Sequence, residues 1–244
     1  MKRYSPKIKL ICVPYAGGDS YSFYKLKPFL SKIELCTVEL AAHGKRIDEA
    51  FYPDLYSAAI DVINQIKMTV MNEDYILLGH SMGSYIVYEV EKIITKEKLR
   101  QPLHIFLSGS GAPGCGNMKL IHKLPDSEFQ REIMKYGETP LEIFEDEKLR
   151  SIFVPILKSD YRIVEEYKPT LPFFQIPCPV TIFLGTLDDT TLLNNALKWS
   201  DFTSCQCDYK YFEGNHFFIN HLPQCVADSI NVIVNEYLEG EIYE

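Results

Sequence analysis

The sequence predicts an α/β domain built on a mostly parallel central sheet flanked by helices. Three observations predict it. Short apolar runs that read as buried strands alternate with stretches at helical spacing, the pattern of β-α-β units covered on both faces. One strand runs straight into a glycine-bounded turn and then a helix pattern. With 244 residues, 46% of them hydrophobic, the chain can bury a sizeable core as one domain, 1–244.

Ile8-Lys9-Leu10-Ile11-Cys12-Val13 reads as the first strand, closed by Pro14-Tyr15-Ala16-Gly17-Gly18. Leu35-Cys36-Thr37-Val38-Glu39-Leu40 reads as the second, ending at Ala41-Ala42-His43-Gly44. Residues 55–70 have helical spacing, with Ile60, Val62, Ile63 and Ile66 among the apolar positions. The strand Tyr75-Ile76-Leu77-Leu78 follows, then a helix over 85–94, and strands over 103–107, 180–184 and 209–212. An amphipathic helix over 222–238 closes the chain, with Val226, Ile230, Ile233 and Val234 on one face. The stretch from about 113 to 170 breaks the rhythm: helical segments are expected over 126–136, 141–144 and 146–167, and no strand. That is too long for a βα connection and reads as a helical lid insertion above the sheet edge. Pro155 should kink or break its longest helix.

Gly79-His80-Ser81-Met82-Gly83 sits where the third strand turns into a helix. In that setting G-x-S-x-G is the nucleophile elbow of an α/β-hydrolase fold, and a serine there needs a base, an orienting carboxylate and an oxyanion hole. The chain order of such sites is Ser, acid, His. His216, in the loop after the last strand, fits the base better than His221, which should open the terminal helix. Asp188, just past the strand over 180–184, fits the acid ahead of Asp189, with Asp208 a distant third at a strand entry. The backbone amides of Met82 and Ala16 are the expected oxyanion donors, the second from the glycine-rich loop after the first strand. Tyr15, Phe153, Tyr161 and Phe217, with Met82, could line an apolar acyl channel, and His43 and His122 lie near the expected cleft and lid. His80 should pack beside the elbow, and His104 should be structural. A second glycine pattern, Gly109-Ser110-Gly111-Ala112-Pro113-Gly114, follows a strand but opens no helix, so it does not read as a dinucleotide site.

A formal net charge of −8 argues against nucleic acid or an anionic membrane as the main partner. The seven cysteines have neither metal-ligand nor disulfide-framework spacing, and no metal is expected. No run approaches bilayer length, and residues 1–6 lead into a strand rather than a secretory apolar region. A cytoplasmic monomer is expected.

Taken together, these residues resemble the stand-alone type II thioesterases of nonribosomal peptide and polyketide synthase systems. The likeness rests on Val13-Pro14-Tyr15-Ala16-Gly17-Gly18, the elbow, Leu107-Ser108-Gly109 with Ala112-Pro113, and His122-Lys123-Leu124-Pro125-Asp126 with Phe129. It continues through Pro155-Ile156-Leu157-Lys158-Ser159-Asp160-Tyr161, Cys178-Pro179-Val180 and Gly214-Asn215-His216-Phe217-Phe218. The resemblance implies Ser81, Asp188 and His216 as the triad, with Ala16 and Met82 as oxyanion donors. It implies as substrate an acyl or aminoacyl thioester on the phosphopantetheine arm of an acyl or peptidyl carrier protein, with no cofactor of the enzyme's own. Two segments depart from the family's usual pattern. Ala41-Ala42-His43-Gly44-Lys45-Arg46 replaces a Pro-Gly-rich stretch with arginines, and Leu157-Lys158-Ser159-Asp160 stands where L-R-A-D is common. Carrier docking is expected near the lid, with Lys119, Lys123, Lys45 and Arg46 the nearest basic residues. The rival readings are a medium-chain fatty-acyl thioesterase, a carboxylesterase or lipase, and a non-catalytic binding protein of the same fold.

Overall fold

The computed structural model describes residues 8–115 and 119–240; positions 116–118 of the expected lid lie outside the described residues. The strands are β1 (Ile8–Val13), β2 (Ile33–Thr37), β3 (Tyr75–His80), β4 (Ile105–Ser108), β5 (Val180–Gly185) and β6 (Cys207–Phe212). They form one sheet in the order β2-β1-β3-β4-β5-β6, and every neighbouring pair is parallel. The helices are α1 (Leu55–Asn72), α2 (Met82–Lys96), α3 (Asp126–Ile133), α4 (Glu142–Glu145), α5 (Glu147–Glu165), α6 (Leu193–Ala196), α7 (Phe218–His221) and α8 (Pro223–Gly240).

Strand periodicity divides the core. Ile11, Val13, Leu77, Ile105, Leu107, Ile182 and Leu184 face α1 and α2. Their neighbours Leu10, Cys12, Ile76, Leu78, Phe106 and Phe183 face α8. Helix α1 starts where the Asp54 side chain accepts the Ser57 N–H at 2.7 Å, an N-cap. It buries Leu55, Ala59, Val62, Ile63, Ile66 and Val70. Ile60, expected on that face, lies off the stripe and is exposed. A third apolar cluster, with Ile121, Phe129, Ile133, Phe144, Val154 and Leu157, belongs to the insertion.

Three expectations shift. Strand β2 ends at Thr37 rather than 40, because β1 runs out opposite it: Cys12 pairs with Thr37, one residue before β1 ends. Helix α2 starts at Met82, directly after the elbow, rather than at 85. Pro155 does not break the long helix: α5 runs from Glu147 to Glu165. Pro155 and Ser151, the residue whose carbonyl loses its helical donor, both lie on the exposed face, where water can take the bond.

The sheet order reverses between β1 and β3, so the loops leaving their carboxyl ends diverge and open a crevice there. Ser81 follows β3 and Ala16 follows β1, at that crevice. Very close backbone approach makes this possible. A Cβ at Gly83 would sit 2.1 Å from the Val13 carbonyl oxygen, and one at Gly79 would sit 2.3 Å from the Gly83 carbonyl oxygen. Backbone on both sides leaves nothing to swing away. Gly83→Ala should therefore cost about 2 kcal/mol or more in urea-induced unfolding; an unchanged midpoint would mean the elbow has slack.

Candidate active site

Strand β3 delivers Ser81 in a strained backbone conformation, φ 54 and ψ −118, at the entry of α2. For a non-glycine residue such a conformation costs about 1–3 kcal/mol and persists only where its surroundings enforce it. Here the Ser81 N–H donates to the Ser108 carbonyl on β4 at 2.7 Å, and the two elbow glycines admit the close approach described above.

Past β5 the chain turns so that Asp188 is gripped from several sides. Its Oδ1 accepts the Thr190 N–H at 3.0 Å, the Thr190 hydroxyl at 2.5 Å and the Thr191 N–H at 3.1 Å. Its Oδ2 lies 2.9 Å from His216 Nδ1, and the two side chains are 2% and 4% exposed. Burial by itself would raise the Asp188 pKa; the bonds from His216, Thr190 and Thr191 outweigh it and hold the carboxyl well below the usual range. With Nδ1 donating to Asp188, the neutral His216 ring presents Nε2 as an acceptor. Asp189, the rival acid, is exposed.

Ser81, His216, Ala16 and Met82 line one cavity of about 300 Å³. The insertion walls it with Ile121, Tyr136, Tyr161 and Glu165, and with Lys119, Glu132 and Lys135. Among the described residues the Ala16 N–H meets no acceptor, and the Met82 N–H opens α2, where helical amides lack partners. Two orphan donors beside a serine and an imidazole are what an oxyanion hole requires.

The expected substrate-binding side chains divide. Tyr161 lines this cavity. Tyr15, Phe153 and Phe217 instead line a neighbouring one of about 390 Å³, and Ala16 belongs to both. His43 is placed in neither. It is 3% exposed, and both its ring nitrogens are hydrogen-bonded inside the protein, to Ala41 and Asp160. A larger cavity of about 570 Å³, between α1, α2 and the end of α5, is lined among the described residues by no serine, cysteine or histidine.

His80 packs beside the elbow, 5.1 Å ring to ring from His216. Burial and the neighbouring His216 push its pKa well down. His104 sits in the sheet against Thr181, 2.8 Å from its hydroxyl, and burial pushes it down to about 4. His122 is bound to Glu165 within the insertion. His221 does not open the terminal helix; it ends α7, with its ring 2.6 Å from Glu138. Sequence reasoning missed Thr190, Thr191, Ser110 and Tyr136. Only the threonines left a signal, since Asp188-Asp189-Thr190-Thr191 is a stretch in which an aspartate can bond the backbone two residues on.

Residues 8–233 match the Thioesterase domain family. The chain is 31% identical over 217 residues to the gramicidin S biosynthesis protein GrsT of Aneurinibacillus migulanus, covering 87% of this chain and 83% of the relative. It is 31% identical over 219 residues to the medium-chain S-acyl fatty acid synthase thioesterase of Rattus norvegicus, covering 86% and 81%. The crystal structure of ClbQ from the colibactin NRPS/PKS pathway superposes with a TM-score of 0.88 at 32% identity, over 96% of this chain and 98% of that one.

Two measurements test the assignments. Ser81→Ala should lower turnover by at least about a thousandfold without loss of thermal stability, because the side chain lost is chemical rather than structural. Near-normal turnover would remove Ser81 as nucleophile. Asp188→Asn should lower kcat by about a thousandfold or more, by mis-setting the His216 tautomer, while Asp189→Asn should change it less than about threefold. The reverse order would move the acid by one residue.

Proposed function

The chain belongs to the Thioesterase domain family, and on that premise we propose that it is a stand-alone editing thioesterase. Its substrates are acyl or aminoacyl thioesters on the phosphopantetheine arm of carrier proteins in natural-product assembly. The observation that carries the proposal is the single roofed cavity in which Ser81, His216, Ala16 and Met82 meet, in a chain similar to GrsT over most of both lengths. The phosphopantetheine belongs to the substrate, and the roles below use only this chain's own groups.

Ser81 Oγ attacks the thioester carbonyl carbon as His216 Nε2 takes the hydroxyl proton. Asp188 stays ionised and stabilises the imidazolium that forms. The carbonyl oxygen, now an anion, is held by the Ala16 and Met82 amides. Collapse breaks the C–S bond, the sulfur leaves with the proton from His216, and the acyl group remains on Ser81. Water, deprotonated by His216, attacks that ester; the acid departs and Ser81 regains its proton.

A medium-chain fatty-acyl reading draws support from the rat relative, which is as similar as GrsT. The cavity walls support the editing reading in part: beside the apolar Met82, Ile121 and Val164 they include the polar residues Ser110, Tyr136, Tyr161, Thr190 and Thr191. A long alkyl chain would have to cover them without offering hydrogen bonds. Lys119 and Lys123 are exposed at the insertion, each beside one surface carboxylate, Glu132 and Glu166, and Lys119 reaches the cavity wall. They are local cations an acidic carrier can meet despite the net charge of −8. Arg46, expected to share that role, is less exposed and held by two carboxylates, Glu49 and Asp61. Among the described residues no helix is long and apolar enough to cross a membrane, and all seven cysteines are unpaired. A reducing compartment, the cytoplasm, suits them.

A panel of short acyl and aminoacyl carrier proteins, set against the same acyl groups on simple oxygen esters, tests the reading. The carrier thioesters should be preferred by about tenfold or more in kcat/KM. Faster turnover of the oxygen esters would make the protein an esterase, and preference for saturated medium-length chains would favour the fatty-acyl alternative. Reversing charge at Lys119 and Lys123 together should raise KM for carrier substrates by about tenfold and leave a small thioester within about twofold. Equal effects on both would move the docking surface elsewhere.

A further inference from the structure

Three segments meet at one buried carboxylate that the mechanism above does not use. Asp160, on α5 of the insertion, is 3% exposed. Its Oδ2 accepts the Gly17 N–H at 2.7 Å and lies 2.9 Å from His43 Nε2. The other ring nitrogen, Nδ1, lies 2.8 Å from the Ala41 carbonyl oxygen. A carbonyl can only accept, so Nδ1 carries a proton. The remaining proton lies between His43 Nε2 and Asp160, and the raised His43 pKa keeps it on the ring. His43 is then an imidazolium donating from both nitrogens, and Asp160 is a carboxylate. Burial acts to lower the His43 pKa; the Asp160 carboxylate and the Ala41 carbonyl outweigh it, and the pKa is raised. The other titratable groups facing the pair are Glu39, which accepts from the Ser20 N–H and hydroxyl, and Tyr161, whose phenol burial pushes up.

What this carboxylate holds is a turn. Gly18 N–H donates to the Tyr15 carbonyl at 2.8 Å, closing a β-turn with Ala16 and Gly17 at its centre, and Gly17 has φ +75. A type II turn has positive φ at that position, and it differs from type I by a flip of the central peptide. The Gly17 N–H belongs to that central peptide. Asp160 accepts from it in one orientation and would meet the Ala16 carbonyl oxygen in the other. Leu157, one helical turn earlier on α5, fills the space over Gly17, where an added Cβ would lie 2.7 Å from its Cδ2.

We propose that Asp160 is a positioning residue for the oxyanion hole: it anchors the Tyr15–Gly18 turn through the Gly17 N–H, one peptide from the Ala16 amide, and the His43 imidazolium locks Asp160. The insertion's long helix and the turn that stabilises the transition state are thereby one unit. The inference rests on Ala16 as an oxyanion donor, and it predicts a second limb in the pH profile. Past the rising limb, the rate falls at higher pH as His43 loses its proton and the clip loosens. The phenols of Tyr85, Tyr136 and Tyr161, which line the cavity, are pushed up by burial and keep their protons over that range.

The test compares wild type, Asp160→Asn, His43→Gln and the double variant on a small acyl N-acetylcysteamine thioester across pH. Alongside it runs the rate at which Ser81 is phosphonylated by a p-nitrophenyl alkylphosphonate. In that reaction the Oγ–P bond forms, p-nitrophenolate leaves and the hydroxyl proton passes to His216, so the rate reads the oxyanion hole without depending on the natural substrate. Each single variant should lower kcat and the phosphonylation rate by about ten- to a hundredfold with KM within about twofold. The double variant should be no worse than the worse single, because both act through one contact. His43→Gln should also lose the falling alkaline limb seen in wild type. Persistence of that limb in His43→Gln, or a rise in KM with kcat unchanged, would overturn the proposal. Should Asp160→Asn fail to fold in a thermal melt, the wild-type and His43→Gln profiles still decide. A wild type phosphonylated at Ser81 but inert on every thioester would sink the thioesterase reading alone, with the phosphonylation rates of the variants still judging the clip. A wild type not labelled at Ser81 would remove both.

Discussion

Everything in the site depends on how closely three pieces of backbone approach one another beneath Ser81. The end of β1, the end of β3 and the first turn of α2 touch with no side chain between them, at Gly79, Gly83 and the Val13 carbonyl. That contact enforces the positive φ of Ser81 and brings the loop after β1 alongside the start of α2. A serine hydroxyl and two unpaired amides thus follow from one packing constraint. The strain is offset locally by the bond to Ser108 and globally by a sheet whose central strands are wholly buried.

Around that contact the fold repeatedly solves the problem of a buried carboxylate by surrounding it with backbone donors. Asp188 is ringed by the threonine turn and His216. Asp160 is tied to Gly17 and His43. Glu165 accepts the Ile121 and His122 N–H groups at 2.9 and 3.2 Å and contacts the His122 ring. A buried charge is tolerable only when its lone pairs are so occupied, and breaking such a set is far more damaging than never having built it. In the insertion, whose apolar cluster is small, two of these carboxylates sit on α5 and tie it to other loops. The insertion is held over the cavity by directional bonds as much as by packing.

The chain's architecture was largely legible because its signals are local and strong. β3 is a continuous apolar run, the elbow glycines stand at fixed offsets from Ser81, and α8 has a clean stripe. The order Ser81, Asp188, His216 is legible for the same reason: each follows its own strand. What sequence could not provide is contact between distant segments. Nothing in Ala41-Ala42-His43-Gly44 says that the ring turns inward to a residue on a helix 117 positions later. Tyr15 and Phe217 read as channel residues since they flank Ala16 and His216, and they line the neighbouring cavity that Ala16 shares. Pro155 does not end α5, and the carbonyl it leaves without a helical donor, at Ser151, lies on the exposed face. The β2 boundary failed because it is set by the length of its partner, which no propensity encodes.

The sheet order has a consequence for the life of the chain before it is complete. Chains emerge from the ribosome amino end first, and domains fold as their parts arrive. Ala16, Ser81 and Met82 belong to the first half of the sequence, just past β1, just past β3 and at the start of α2, so the proposed nucleophile and both amides are delivered early. Asp188 and His216 follow β5 and β6, the last two strands at one edge of the sheet. A nascent chain therefore carries Ser81 without Asp188 and His216 until nearly the whole polypeptide has been made.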